Sequence, residues 1–245
     1  MKRVRMTVAY DGTNYHGWQI QNNGNTIESE LNHHLSELLQ EKIEVIGASR
    51  TDSGVHALGN IAVFDTRAAI PAEKVSYALN QRLPEDIRII KSEQVADTFH
   101  PRYCKSCKTY EYQIRNAEFP MPTTRLYQYF TYVPLNVADM KKAGICLIGE
   151  HDFASFCSAG AKVESTVREI KEIDVTKTGD VITIRVVGYG FLYNMVRIIA
   201  GTLMEIGAGK RNISEMQNII EAKDRSTAGP TAPACGLTLI SYEFL

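Results

Sequence analysis

The sequence predicts an α+β protein of two similar halves, with mostly antiparallel sheets flanked by helices. Three observations predict it. Apolar residues alternate with polar ones through several segments, most strictly in Lys108-Thr-Tyr110-Glu-Tyr112-Gln-Ile114-Arg115, which is the pattern of a strand with one buried face. The strands group into hairpins, as around Thr178-Gly179-Asp180, with helices between groups rather than in strict βα alternation. Each half also opens with strands and follows with a helix, although no internal repeat is strong enough to establish duplication.

The elements follow in order. Val4, Met6, Val8 and Tyr10 alternate and predict a first strand over the opening ten residues. A polar stretch from Asp11 to Asn25 follows. Asn25 and Glu28 have capping-box spacing, and Ile27, Leu31, Leu35, Leu38 and Leu39 fall on one helical face. Ile43–Ala48 and Ile61–Phe64 read as strands, Val75, Ala78 and Leu79 as a short helix after Pro71, and Arg88–Ile90 as the start of another strand. In the second half, Asn136 caps a helix carrying Met140, Ala143 and Leu147. Val163–Val175 and Val181–Val187 form a hairpin. Leu192, Met195, Val196, Ile199, Leu203 and Ile206 make a helical stripe that ends near Gly207 and Gly209, and Leu237–Phe244 is a closing strand. A division near residue 100 is expected, giving an N-terminal α+β domain over 1–100 and a C-terminal one over 101–245.

At 245 residues, 44% hydrophobic and 22% charged, the chain has the composition of an ordinary globular protein. Its net charge of −1 gives a nucleic-acid partner no global attraction, so any such partner needs a local basic surface. The start, MKRVRMTVAYDG, turns polar too early for a secretory segment, and the apolar stretch Ile198–Met204 is broken by Gly201 and Thr202, far short of a membrane span. A soluble, cytoplasmic protein is expected, with no membrane partner. The five cysteines are odd in number. Cys104 and Cys107 have CxxC spacing, but no second Cys or Cys/His pair completes a zinc site, so they read as small side chains in a reducing compartment, and no metal is expected.

Five clusters could carry chemistry, and each has a bland reading. In Gly47-Ala48-Ser49-Arg50-Thr51-Asp52-Ser53-Gly54-Val55-His56-Ala57, Asp52 is either a turn residue bonding nearby amides or a reacting carboxylate. Arg50 stands two positions before it, small residues leave room for a ligand, and the turn joins two apolar strands. Tyr15-His16-Gly17-Trp18-Gln19-Ile20-Gln21 suits either stacking on a base or filling the core. From His100 to Arg115, four Arg or Lys residues face one Glu and interleave with three tyrosines. That is a footprint for nucleic acid or a strand edge blunted by lysines. Arg197 lies inside an apolar helix and needs a carboxylate, a phosphate or the surface. The Ala/Pro/Gly-rich approach to Gly236-Leu237 either presses Leu237 against a ligand or returns the chain to its sheet.

Taken in order, Tyr10-Asp11-Gly12, Tyr15-x-Gly17-Trp18-Gln19, Arg50-Thr51-Asp52-x-Gly54-Val55-His56-Ala57, Phe99-His100, Lys108-x-Tyr110-x-Tyr112, His151-Asp152-Phe153, Phe191-Leu192-Tyr193-Asn194-Met195-Val196-Arg197 and Ala222-Lys223-Asp224-Arg225 resemble the tRNA pseudouridine synthase A family. The resemblance runs from residue 4 to the final strand. Ser49 and Ser53 depart from it, standing where many members have Gly and Ala, and bear on loop detail only. It implies a pseudouridine-synthase-type mixed sheet with a cleft between the halves, a homodimer, and an isomerase without cofactor that converts uridine to pseudouridine at positions 38, 39 and 40 of the tRNA anticodon stem-loop. It further implies that Asp52 is the essential carboxylate, attacking ribose C1′ or taking a C2′ proton. Arg197 would hold Asp52 ionised, Tyr110 would stack on the extruded base and help remove its C5 proton, and Leu237 would pack on the base's other face. Arg50, Arg102, Lys105 and Lys108 are expected at phosphates. A tRNA-binding protein without activity, and a cysteine-based redox or zinc protein, are the alternatives from other classes.

Overall fold

A computed structural model gives the fold and describes residues 1–22, 24–160 and 163–245. The chain packs as two compact units, residues 1–105 with 239–245, and residues 106–238. The end of the closing strand thus belongs with the first unit, whereas a division of the sequence at residue 100 groups it with the second. A strand adds to whichever edge offers it unpaired backbone groups, and chain order does not decide that.

The first unit contains β1 (Lys2–Tyr10), α1 (Ile27–Leu39), β2 (Ile46–Gly47), β3 (His56–Thr66), α2 (Val75–Leu79) and β4 (Ile87–Val95). β1 lies between β3 and β4, antiparallel to both, and β2 pairs antiparallel with β3. Val4, Met6, Val8 and Tyr10 are buried along β1 while their neighbours are half-exposed, so the alternation in the sequence becomes a one-sided core. Its pairing with β3 shifts register between Val8 and Tyr10, the end at which Tyr10 meets the loop after β2. The strand expected over Ile43–Ala48 shortens to Ile46–Gly47. Before it, the Val45 amide bonds the Asn32 side chain of α1 instead of a neighbouring strand. The α1 capping box also sits one residue later than Asn25/Glu28. Thr26 is the N-cap and Ser29 its partner, while Asn25 accepts from Thr26 and Ser29.

The second unit contains β5 (Ser106–Asn116), β6 (Tyr129–Thr131), α3 (Val137–Ile145), β7 (Gly149–Asp152), β8 (Val167–Thr178), β9 (Val181–Gly188), α4 (Met195–Gly207), α5 (Glu215–Ala222) and the start of β10 (Leu237–Phe244). Its strands run β5-β9-β8-β7, all antiparallel, with the short β6 parallel to β5. The hairpin at 178–180 forms as expected, with β8 starting at Val167 rather than Val163. α3 packs on β8 and α4. α4 buries Ile198, Ile199, Ala200 and Leu203 completely, so Leu203→Ala there costs about 2–5 kcal/mol. Leu192, expected in this helix, precedes it: Asn194 takes a left-handed φ of 61° and the helix opens at Met195. α5, β6 and β7 have no counterpart in the sequence reading. Of these, α5 buries only Met216, Ile219 and Ile220 over two turns, too short a stripe to stand out.

No helix of the described residues is long and apolar enough to cross a membrane.

Candidate active site

In the first unit, Asp52 sits on the loop that joins β2 to β3, and two glycine-bearing loops hold it there. Val55 N donates to Asp52 O at 3.1 Å and Gly54 has φ +77°, so the turn that the residue types suggested forms. The 11–18 loop packs on its back. Trp18 N donates to Thr51 O at 3.1 Å, Gly54 N to Tyr15 O at 3.3 Å, and Ser53 Oγ to the same carbonyl at 3.2 Å. Gly17 has φ +84°, and a Cβ there would stand 2.5 Å from Thr51 O. A Cβ at Gly12 would lie 2.0 Å from Val55 O. Both positions require glycine because the two backbones touch. Gly12 N also donates to His56 Nδ1 at 3.0 Å, just beyond the turn.

Beneath the turn runs a buried polar chain. Tyr10 Oη lies 2.8 Å from Thr51 Oγ1, and Asn60 Nδ2 donates to Tyr10 Oη at 3.2 Å and to Ser49 O at 3.1 Å. Burial holds the Tyr10 phenol protonated, its pKa raised far above the ordinary tyrosine range. Asn60 is completely buried in an otherwise apolar strand, and its Oδ1 accepts from Ile61 N. A buried polar side chain inside the run Ile61–Phe64 and its flank was the signal for it. Neither Asn60 nor the Tyr10 hydroxyl stands among the residues that the sequence assigns to the site. Asp52 itself is half-exposed, with Arg50 exposed two residues before it.

The Tyr15–Gln21 cluster resolves to its bland reading. Trp18 is fully buried and Tyr15 is 5% exposed, so neither ring is presented to a base. Trp18 instead fills the space over Gly47, where a Cβ would stand 2.2 Å from the indole Nε1. The Tyr15 hydroxyl donates to Asp86 at 2.6 Å. These aromatic rings position the Asp52 turn from behind.

Arg102 and Lys105 also belong to the first unit. Arg102 is exposed but spends its Nε on Gly47 O at 2.8 Å, and Lys105 is exposed with its carbonyl accepting from Leu245 N.

In the second unit, Lys108 and Tyr110 are two residues apart on β5 and share one face. Tyr110 is 7% exposed and meets Phe191 edge-on, with ring centroids 5.1 Å apart. Burial and the nearby Arg168 cation push the Lys108 ammonium down to about 8. Arg168 had no sequence signal beyond its charge.

Arg197 lies in the first turn of α4. Its Nε donates to Ala232 O at 2.7 Å and its Nη1 to Asn194 Oδ1 at 2.8 Å. A cation at this end of a helix opposes the macrodipole, and these two oxygens hold the guanidinium in a fixed direction.

The strap 228–236 lies across α4. A Cβ at Gly201 would stand 1.8 Å from Pro230 O, Gly229 N donates to Thr202 Oγ1 at 2.9 Å, and Ala232 N to Arg197 O at 3.1 Å. Tyr112 Oη donates to Pro233 O at 2.9 Å, and Gly236 is pressed against the Tyr112 ring. The strap is therefore fixed on both sides before it delivers Leu237, which is 5% exposed.

Cys104 and Cys107 are free thiols in different units, and neither joins a group of three metal-ligand side chains among the described residues.

The first unit carries a half-exposed carboxylate on a buttressed turn, the second a buried tyrosine and an arginine held by two oxygens, and both units are α+β with mostly antiparallel strands. Residues 6–104 and 143–244 match the model of the tRNA pseudouridine synthase family, and the chain belongs to that family, whose members are isomerases of uridine in tRNA. Among its relatives, tRNA pseudouridine synthase A of Thermoanaerobacter sp. strain X514 is 48% identical over 244 residues, 100% of each chain. The protein of the same name from Ruminiclostridium cellulolyticum is 50% identical over 245 residues, again 100% of each chain. That of Bacillus subtilis is 46% identical over 239 residues, 97% of each chain.

Proposed function

We propose that this protein isomerises uridines 38, 39 and 40 of the tRNA anticodon stem-loop and that Asp52 is the carboxylate that carries the reaction. The observation that supports it most strongly is the construction around Asp52. Two obligate glycines, three backbone hydrogen bonds and the Thr51–Tyr10–Asn60 chain hold a half-exposed carboxylate on a turn, far more fixation than a connection needs.

The C1′–N1 bond of the uridine breaks, the base rotates, and C1′ bonds to C5. The C5 proton is lost and N1 gains one, so the reaction is redox-neutral. Asp52 either attacks C1′, and is released when C5 bonds, or takes a C2′ proton and returns it. Arg197 serves as the cation that favours the ionised carboxylate, and its two fixed oxygen partners support that role by holding its direction. Tyr110 covers one face of the base and assists loss of the C5 proton, and Leu237 packs on the other face. Arg50, Arg102, Lys105 and Lys108 contact phosphates, which position the RNA without reading its sequence. The same reading carries a homodimer acting in the cytoplasm.

The test is Asp52→Asn assayed on tRNA transcripts by pseudouridine mapping. The variant is expected to make no pseudouridine at 38–40 and to bind tRNA within a few-fold of the parent. Undiminished product would remove Asp52 from the role.

A further inference from the structure

One feature of the basic and aromatic cluster lies outside the roles above. In the segment after β4, Tyr103 is 86% exposed, and its ring stacks on the His100 imidazole with centroids 4.2 Å apart and an interplanar angle of 22°. Lone exposed aromatic rings are common on protein surfaces. This one differs in three respects. Its ring is backed on one face by a second flat ring, leaving the remainder to solvent. Two exposed cations, Arg102 and Lys105, lie one and two positions from it in the chain. The segment is also fixed in place at several points.

Tyr103 N and Cys104 N both donate to His100 O, at 3.1 and 3.2 Å, closing a turn that holds the two rings together. Arg3 Nη1 donates to Phe99 O at 2.9 Å, and the Phe99 ring meets Phe244 edge-on at 5.0 Å with the Arg5 guanidinium 5.5 Å from its centre. Arg102 Nε reaches Gly47 O at 2.8 Å, five residues ahead of Asp52 on the same run of chain. The exposed ring is thus held at a set position relative to the strand that leads into the Asp52 turn.

We propose that Tyr103, backed by His100, is a stacking shelf for an unpaired base of the tRNA substrate other than the reacting uridine. The inference rests on the reading of the protein as acting on tRNA. A flat, preorganised ring pair on a segment that also carries two exposed cations is the chemistry of single-stranded nucleic acid, in which bases stack on aromatic faces while phosphates lie against basic side chains. Tyrosine suits the position because its ring loses little conformational freedom on binding and its hydroxyl tolerates water.

The experiment measures the Kd of a fluorescently labelled anticodon stem-loop RNA by anisotropy, across a salt series, for the parent, Tyr103→Ala and Tyr103→Phe. Melting curves check that each variant is folded. Tyr103→Ala is expected to raise Kd by about 5- to 100-fold, the cost of one lost base stack. Its salt slope should stay at the parental value because no phosphate contact is removed. Tyr103→Phe keeps the ring and is expected within about twofold of the parent. Parental affinity in Tyr103→Ala would overturn the shelf, as would an equal loss in Tyr103→Phe, since the hydroxyl and not the ring would then carry binding. A change of oligomeric state in Tyr103→Ala with Kd unaltered would also overturn it, assigning the ring to a protein contact. The same preparations are assayed for pseudouridine. A parent that binds RNA through Tyr103 but forms no product would end the proposed activity and leave the shelf standing. A productive parent with a Tyr103-independent Kd would end the shelf alone.

Discussion

The Tyr10 hydroxyl lies 2.8 Å from the Thr51 hydroxyl, linking the last residue of the first strand to the residue beside Asp52. Tyr10 also accepts from Asn60, so one phenol oxygen joins β1, β3 and the loop that carries the carboxylate. Removing it leaves Asn60 and Thr51 each short of a partner in a buried site. Tyr10→Phe is expected to lower stability by about 1–3 kcal/mol and to reduce kcat more than it weakens tRNA binding, because Thr51 loses its fixed orientation. Denaturant melts and single-turnover kinetics check both. A variant with parental kcat would show that the chain under the turn serves stability alone.

Ser49 is 5% exposed, and its Oγ has no hydrogen-bond partner among the described residues. A buried hydroxyl without a partner costs on the order of 1–3 kcal/mol relative to its hydrated state. Ser49→Ala removes that group and is expected to stabilise the protein by about 1 kcal/mol, read as a higher denaturation midpoint at unchanged m-value. A loss of stability would place a hydrogen-bonded water or RNA-linked role on this hydroxyl.

Burial and the neighbouring Arg168 cation push Lys108 down to about 8. Its charged form, required for a phosphate contact, falls from about nine-tenths at pH 7 to about one-tenth at pH 9. The affinity for tRNA is therefore expected to drop as pH rises through 8, and RNA binding should in turn pull protons onto the lysine. Stability of the free protein moves the opposite way. The unfolded chain holds this proton up to about 10.5 and the folded one only to about 8, so unfolding takes up a proton in that window and stability rises with pH. Lys108→Met should flatten the pH dependence of Kd over 7–9 and reduce the salt slope by about one. A parental pH profile in that variant would assign the dependence to another group.

Arg197 holds Asn194 and Ala232 through two separate nitrogens, a fork that lysine cannot reproduce. Arg197→Lys keeps the charge and loses the geometry. It is expected to lower kcat by at least tenfold and to speed amide exchange in residues 228–236, whose strap loses one of its ties to α4. Unchanged exchange with lowered kcat would separate the electrostatic role from the structural one.

Much of the fold could be read from periodicity. β1 and β9 alternate cleanly because each buries one face, the sequence alternation also marks β5, β8 and β10, and α3 is marked by Asn136 at its cap. Elements with weak stripes escaped notice: α5 is two turns long, and β6 and β7 have no fully buried residue. The Tyr15–Trp18 loop could not be decided from its residues, since a ring that stacks on a base and a ring that fills a core have the same composition. Contact with Gly47 decides it, and that contact depends on a segment 29 positions along the chain.

The sequence by itself determined the α+β class and the presence of Asp52 in a turn, because alternation, caps and turn residues act over a few positions, and its ordered motif blocks carried the resemblance to the family. Only the tertiary structure revealed why Gly12 and Gly17 must lack a side chain, why Asn60 is buried, and how Tyr10 and Arg102 tie distant segments to the loop around Asp52. Those facts are set by close packing and by the need to satisfy buried polar groups, both of which join residues far apart in the chain and leave no local pattern to read.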